Sequence, residues 1–266
     1  MERMKKTSAI ILLVIVLVIT SCAYEYQVET SSDEYKASPA PRNDKKVETS
    51  YSSDLINAKY ITLKTEDSKN IFGKYYKTNT STAIILLHML NNDHTSWDKF
   101  AEKWYSLNYT VIAIDLRGHG KSSGSWKEFN AKDFNDMLLD VKEAKEFGLL
   151  EKKSKFVIIG ASIGANIALN YAAKDNDIKG VALLSPGLDY RGVKIDSAAL
   201  NYGQRPILLV ASEDDKYSAD TVKELNSKLV GKKKLIMYKA AGHGTDMFSE
   251  PKLEEEIIEW LKENIN

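Results

Sequence analysis

Short apolar runs alternate with amphipathic stretches along most of the chain. Residues 59–65 and 71–77 alternate apolar and polar positions in the manner of half-buried strands, and their closeness predicts an antiparallel pair. Unbroken apolar runs follow at 83–87, 111–114, 156–159, 181–184, 207–210 and 235–238. A run apolar on both faces suits a strand sandwiched between helix layers, so these predict a parallel sheet. Helical patterns fall between them. Residues 96–107 should follow a Ser or Thr cap, and 132–147 sets Phe134, Met137, Leu138 and Val141 on one stripe. Residues 163–173 are small and apolar, as in a closely packed helix, and 219–229 precedes the last strand. The final helix has Ser249 as a candidate N-cap, Pro251 in its first turn, and Leu253, Ile257 and Leu261 at successive i, i+4 positions. Strand alternating with helix predicts an α/β domain with helices on both faces of the sheet.

The amino end follows a different pattern. Arg3, Lys5 and Lys6 precede eleven consecutive apolar residues, 9–19, and then Thr20, Ser21 and Cys22. Spanning a bilayer takes about 20 apolar residues, so this run is short for a span and suits a secretory signal. Cys22 is the only cysteine of the 266 residues, which excludes an intramolecular disulfide. Its place behind the apolar run resembles the lipobox of prokaryotic lipoproteins, which implies acylation at Cys22 and a lipid-held, extracytoplasmic protein. An uncleaved signal anchor is the alternative. Residues 22–56 are rich in Ser, Thr, Glu, Lys and Pro and too poor in apolar groups to offset ordering entropy, so a polar tether is expected. The organisation is thus a signal at 1–21, a tether at 22–56 and a domain at 57–266. Lysine and arginine number 37, as do aspartate and glutamate, with no basic block. A nucleic-acid partner is not expected from such a balance, and the oligomeric state is left open.

The candidate chemistry centres on Gly160-Ala161-Ser162-Ile163-Gly164, with an apolar strand running into it and a helix running out. A one-residue reversal between strand and helix strains the serine backbone, and only small neighbours fit around it. The hydroxyl then stands at a helix amino end, where the dipole favours developing negative charge. A plain tight turn with Ser162 capping the helix is the simpler reading of the same residues. With its flanks, the segment resembles the nucleophile elbow of the α/β-hydrolase superfamily, and the likeness in element order extends from about residue 59 to the carboxyl end. The resemblance implies a mostly parallel eight-stranded sheet with helices on both faces. Only residues 185–205 separate the sixth and seventh of that fold's core strands, too few for a large cap domain.

The resemblance also implies a catalytic serine, acid and histidine in that chain order. Of four histidines, His243 alone follows the last strand, in Ala240-Ala241-Gly242-His243-Gly244, and is the expected base. The acid is expected after the strand at 207–210, at Asp215, with Asp214 one residue out of register and Asp189 after the preceding strand as alternates. Oxyanion donors would be the backbone N–H groups of Ile163 and Leu90, with Met89 as alternate. Relatives carry glycine where Met89 stands. His88, His94 and Trp97 are read as structural.

Asp115-Leu116-Arg117-Gly118-His119-Gly120-Lys121-Ser122 imitates a phosphate loop but lacks its first glycine and the helix beginning at the lysine. It resembles instead an architectural loop after the fourth strand of α/β-hydrolases. The histidines lack metal-ligand spacing, and Asp133, Asp136 and Asp140 read as a solvated helix face, so no metal and no cofactor are expected. The expected activity is hydrolysis of carboxylic esters or thioesters with small to medium acyl groups. The alternatives are a serine aminopeptidase of the same fold and a surface lipoprotein that uses the scaffold only to bind.

Overall fold

The computed structural model describes residues 58–265; the signal and the whole tether, Cys22 included, lie outside them. Eight strands form one sheet in the order β1-β2-β4-β3-β5-β6-β9-β10. They are β1 (Ala58–Lys64), β2 (Asn70–Tyr76), β3 (Thr82–Leu87), β4 (Thr110–Ile114), β5 (Lys155–Ala161), β6 (Ile178–Leu184), β9 (Ile207–Ser212) and β10 (Lys233–Tyr238). Strand β2 runs antiparallel to β1 and β4, and all the other pairs are parallel. Each of the eight expected strands is present.

The continuous apolar runs explain the two cores. Along β3, Ala83, Ile85 and Leu87 face one layer while Ile84 and Leu86 face the other; β5, β6 and β9 alternate in the same way. The first layer comprises α2 (Ala131–Asn135), α3 (Met137–Leu150), α4 (Ile163–Lys174), α5 (Asp196–Asn201) and α6 (Lys216–Lys228). The second comprises α1 (Asp98–Ser106) and α7 (Leu253–Asn264), which contribute Phe100, Trp104, Ile257, Trp260 and Leu261.

Several boundaries differ from expectation for local reasons. The first helical segment opens with a 3-10 turn at His94–Trp97 capped by Asp93, whose carboxylate accepts the Thr95 N–H, so neither Ser nor Thr is the cap. The pattern at 132–147 is two helices broken at Asp136; Asn130 starts the first through a reciprocal capping box with Asp133. Ser249 caps nothing, because 244–249 forms its own 3-10 turn and α7 begins after it. Asp140 does not belong to a solvated face: it is fully buried. Its carboxylate accepts both the backbone N–H and the Nε–H of Arg117 at 2.8 Å, and Asp67 takes the guanidinium's outer edge. Burial pushes the Asp140 carboxyl up to about 7 against the pull of that guanidinium.

Between β6 and β9 there is no cap domain. The segment holds a two-residue-stranded hairpin, β7 (Asp189–Tyr190) and β8 (Val193–Lys194), followed by α5. Strands this short lie below any periodicity, and the sequence pattern did not predict them.

Candidate active site

The site is assembled from loops at the carboxyl ends of β3, β5, β6, β9 and β10. Strand β5 ends at Ala161 and α4 starts at Ile163, which leaves Ser162 alone to reverse the chain, at φ 55° and ψ −120°. Such a backbone costs a residue with a Cβ about 1–3 kcal/mol. The Ser162 N–H extends the sheet ladder by donating to Leu184 O at 2.8 Å, and its carbonyl accepts from Ala165 and Asn166. Ser162 stands at the N-cap position of α4, but its side chain makes no capping bond to the helix. The glycines allow this tight crossing. A Cβ on Gly164 would sit 2.5 Å from Leu87 O and 2.6 Å from His88 O, and one on Gly160 would collide with the Gly164 carbonyl. Helix α4 therefore enters directly against the end of β3, which carries the expected oxyanion loop. Ile163 is the first helical residue, and the first N–H groups of a helix have no intrahelical acceptor.

Asp215 and His243 meet. The Asp215 Oδ2 lies 2.6 Å from His243 Nδ1. A carboxylate can only accept, so Nδ1 carries the proton and Nε2 is left as the basic nitrogen. Asp215 is also the N-cap of α6, its Oδ1 accepting the Ser218 N–H. The alternates sit elsewhere: Asp214 is exposed and accepts the Gly242 N–H, and exposed Asp189 accepts the Gly192 N–H within the hairpin.

The loop carrying His243 is tied down on both sides. Ser212 Oγ accepts the Ala241 N–H at 2.8 Å, and Ser185 Oγ accepts the Gly244 N–H at 2.9 Å. Ser185 ends β6 in a left-handed conformation, φ 50°, that turns its hydroxyl to this work. A Cβ on Gly244 would lie 2.8 Å from Met89 Sδ and 3.5 Å from Ala161 Cβ, so the histidine loop packs against the elbow and the oxyanion loop together. Met89 fills this junction.

Tyr190 joins the two halves. Its phenol is hydrogen-bonded with the Ser218 hydroxyl at 3.1 Å, and it donates to Ser185 O at 3.3 Å. Its ring stands 6.2 Å from the imidazole of His243 at 90°. The loops that carry His243 and Ser162 thus meet at the carboxyl edge of the sheet, through Gly244 and Ala161. Sequence reasoning did not single out Tyr190 or Ser185, both in a non-periodic loop. Asn166 carried a usable signal that was not read: it is an amide inside a small apolar helix, and it proves to be the hairpin's anchor.

The remaining histidines are engaged structurally. His88 is buried; its Nδ1 donates to Met89 O and its Nε2 accepts the Leu116 N–H, and burial lowers its pKa to about 4, so it is neutral. His94 donates from backbone and ring to Asp115 Oδ1, both at 2.7 Å, while Lys121 N–H occupies Oδ2. Burial works to raise the Asp115 carboxyl, and these bonds outweigh it, holding it below its ordinary value. Asp93 joins His94 and Asp115 in a group whose ligand-type atoms lie within 4.8 Å of one another. The Asp115 oxygens and Asp93 Oδ1 already accept protein N–H groups, so the set reads as a tie between loops. The imitation phosphate loop is accordingly architectural.

Comparison with known proteins bears on the fold. Residues 78–201 match the family model described as serine aminopeptidase, S33. Among curated proteins, bem46 of Schizosaccharomyces pombe is 39% identical over 82 residues, 29% of this chain and 25% of that protein. An uncharacterised protein of Mycobacterium bovis is 27% identical over 90 residues, 34% of this chain and 24% of that one. The alignments thus span about a quarter of the length of these relatives. Among solved structures, an esterase of Pyrococcus furiosus superposes with a TM-score of 0.70 at 18% identity, covering 88% of this chain and all of that one. The ferulic-acid-bound Est1E of Butyrivibrio proteoclasticus gives 0.65 at 15% identity over 77% of this chain and 98% of that one. Sheet order, elbow and these likenesses together show that the chain has the α/β-hydrolase fold.

Proposed function

We propose that this protein is a serine hydrolase that cleaves carboxylic esters or thioesters of small to medium acyl groups through an acyl-serine intermediate. The observation that carries the reading is the 2.6 Å Asp215–His243 bond beside a strained Ser162 whose side chain is free of helix capping. Ser162 Oγ attacks the carbonyl carbon while His243 Nε2 takes its proton and then delivers it to the leaving oxygen or sulfur. Asp215 holds the imidazole tautomer and offsets its positive charge without itself being protonated. The tetrahedral oxyanion is received by the Ile163 N–H and by Leu90 or Met89 N–H; each such donor contributes about 3 kcal/mol to the transition state. Water then repeats the sequence on the acyl-enzyme.

An uncapped mouth favours soluble esters over long chains needing shelter, because only the hairpin and α5 intervene between β6 and β9. Esterases among the structural neighbours support the ester reading. The matched model's description favours a second one, an aminopeptidase, which amide turnover exceeding ester turnover would establish. Labelling by a fluorophosphonate, abolished in Ser162→Ala, tests the reading; a folded, unlabelled wild type would instead favour a binding scaffold. Rates over a series of nitrophenyl esters should peak at short chains, and a steep rise with length would overturn the open-mouth argument.

The lipobox resemblance supports a lipid anchor at Cys22 and a domain held outside the cytoplasm on a polar tether. Cys22→Ser should release or misprocess the protein. Unchanged membrane attachment would favour the signal anchor.

A further inference from the structure

The edge of the sheet opposite Ser162, where helices end and the parallel strands begin, carries apolar side chains left bare. Of the seven large apolar side chains exposed among the described residues, four stand there. Leu107 lies between α1 and β4, Leu149 and Leu150 end α3, and Val230 lies between α6 and β10. Leu150 is 63% exposed. Leu107 and Leu150 flank the connection from β2 to β3, residues 77–81. A hollow of about 450 Å³ is lined by that connection together with Leu150, Lys152 and Lys153. A second, of about 240 Å³, takes in Leu107 and Lys262, and Thr80 lines both. The connection is held from beneath, because the buried Lys153 Nζ donates to Thr78 O at 2.7 Å and to Thr80 O at 2.8 Å.

Cations surround these leucines, although the sequence has no basic block. The fold gathers Lys77, Lys152, Lys153, Lys155 and Lys262 from the ends of β2 and α7 and the junction of α3 with β5. Among the acids, Glu151 is bound by Lys77 and Tyr75, Asp175 and Asp177 share Lys145, and Glu263 follows Lys262. Val230 is followed by exposed Lys232 and Lys233. The first 57 residues reach the domain at the same place: Ala58 opens β1 and pairs with Tyr76, next to Lys77.

We infer that this edge is a docking surface for an anionic phospholipid bilayer, the leucines entering the headgroup layer while the lysines meet its phosphates. The inference rests on the membrane-held reading of the amino end. Apolar contact joined to electrostatic attraction holds a peripheral surface on anionic lipid, and one acyl chain alone binds only marginally, so the edge supplies the second signal. A second copy on the same face would set lysines against lysines, which disfavours a symmetric dimer there. Docked so, Ser162 opens a strand's length, about 20 Å, further from the bilayer. The site then draws on soluble substrates and not on the lipids beneath it.

The test is amine acetylation of the full chain in vesicles, read residue by residue by mass spectrometry. One set is phosphatidylcholine alone, the other equal parts phosphatidylcholine and phosphatidylglycerol. On the anionic set Lys152 and Lys262 should react about tenfold more slowly than on the neutral one. Exposed Lys127 and Lys239, in loops on the carboxyl side, should keep their rates. Added salt should remove the difference by screening the attraction. Leu150→Ser changes an exposed side chain, so it should melt like wild type and lose most of the protection. Equal rates at both edges on both vesicles, or slowing at Lys127 and Lys239 instead, would overturn the inference. So would protection in lipid-free detergent that grows with protein concentration, which would make the edge a contact between copies. Flotation separates this inference from the anchor reading. A chain that floats with the anionic vesicles alone supports the docking surface and overturns the anchor; one that floats with neither overturns both.

Discussion

At the scale of single residues, the neighbouring aspartates Asp214 and Asp215 can be told apart by what their oxygens touch. Asp215 spans the His243 imidazole and the first turn of α6; Asp214 is exposed and accepts the Gly242 N–H. Asp215→Asn should preserve the cap, since asparagine caps as well as aspartate, yet cost about 10³–10⁴ in kcat by releasing the imidazole tautomer. Asp214→Asn should stay within a few-fold of wild type. Ester kinetics beside thermal melting checks both, and equal losses would reassign the acid. Gly164→Ala sets a methyl 2.5 Å from a backbone carbonyl that cannot swing away. It should lower stability by about 1–3 kcal/mol, read by urea titration, and slow labelling by misplacing the Ile163 N–H. Ser162, Asp215 and His243 could be placed at the ends of β5, β9 and β10 from the sequence, because each follows a predicted strand within a few residues. Tyr190 could not, because a loop side chain's neighbours depend on helices distant in sequence.

At the scale of elements, the eight main strands were legible because burial on both faces writes a continuous apolar run. The helix limits were less so. Asp93, Asn130 and Asp215 start helices through side-chain bonds that compete locally, and Asp136 interrupts a stripe that hydrophobicity alone would continue. The hairpin depends on one amide. Asn166→Leu would keep the volume but strip partners from the Gly187 N–H and from the carbonyls of Gly187 and Val193. We expect a loss of about 2–4 kcal/mol, with hydrogen exchange accelerated first in 187–194 and labelling slowed alongside. Protection in that segment equal to wild type would show that Asn135 and Asn170, which donate to Gly192 O and Lys194 O, suffice to hold it.

At the scale of the whole molecule, Asp115 ties the end of β4 to β2 through its own N–H, to the 3-10 turn through His94, and to the following loop through Lys121. Its folded-state carboxyl lies below the ordinary 3.8, so the ionised form contributes stability that is fully present above that value and lost as pH falls through the folded pKa. Asp115→Asn should therefore melt well below wild type at neutral pH, and the gap should narrow as pH drops under 3.8. A constant gap down to pH about 3 would assign the loss to packing rather than charge.

The double duty of Asp215 has a consequence for how damage would show itself. Fraying of the first turn of α6 lets the carboxylate swing, and the imidazole loses its orientation at the same moment. Turnover should then fade on warming some degrees before the cooperative melt, with activity serving as a thermometer for one helix end. Substitutions that strengthen that turn, such as a better first-turn residue at Lys216 or Tyr217, would widen the temperature span of catalysis without moving the melting midpoint by a comparable amount.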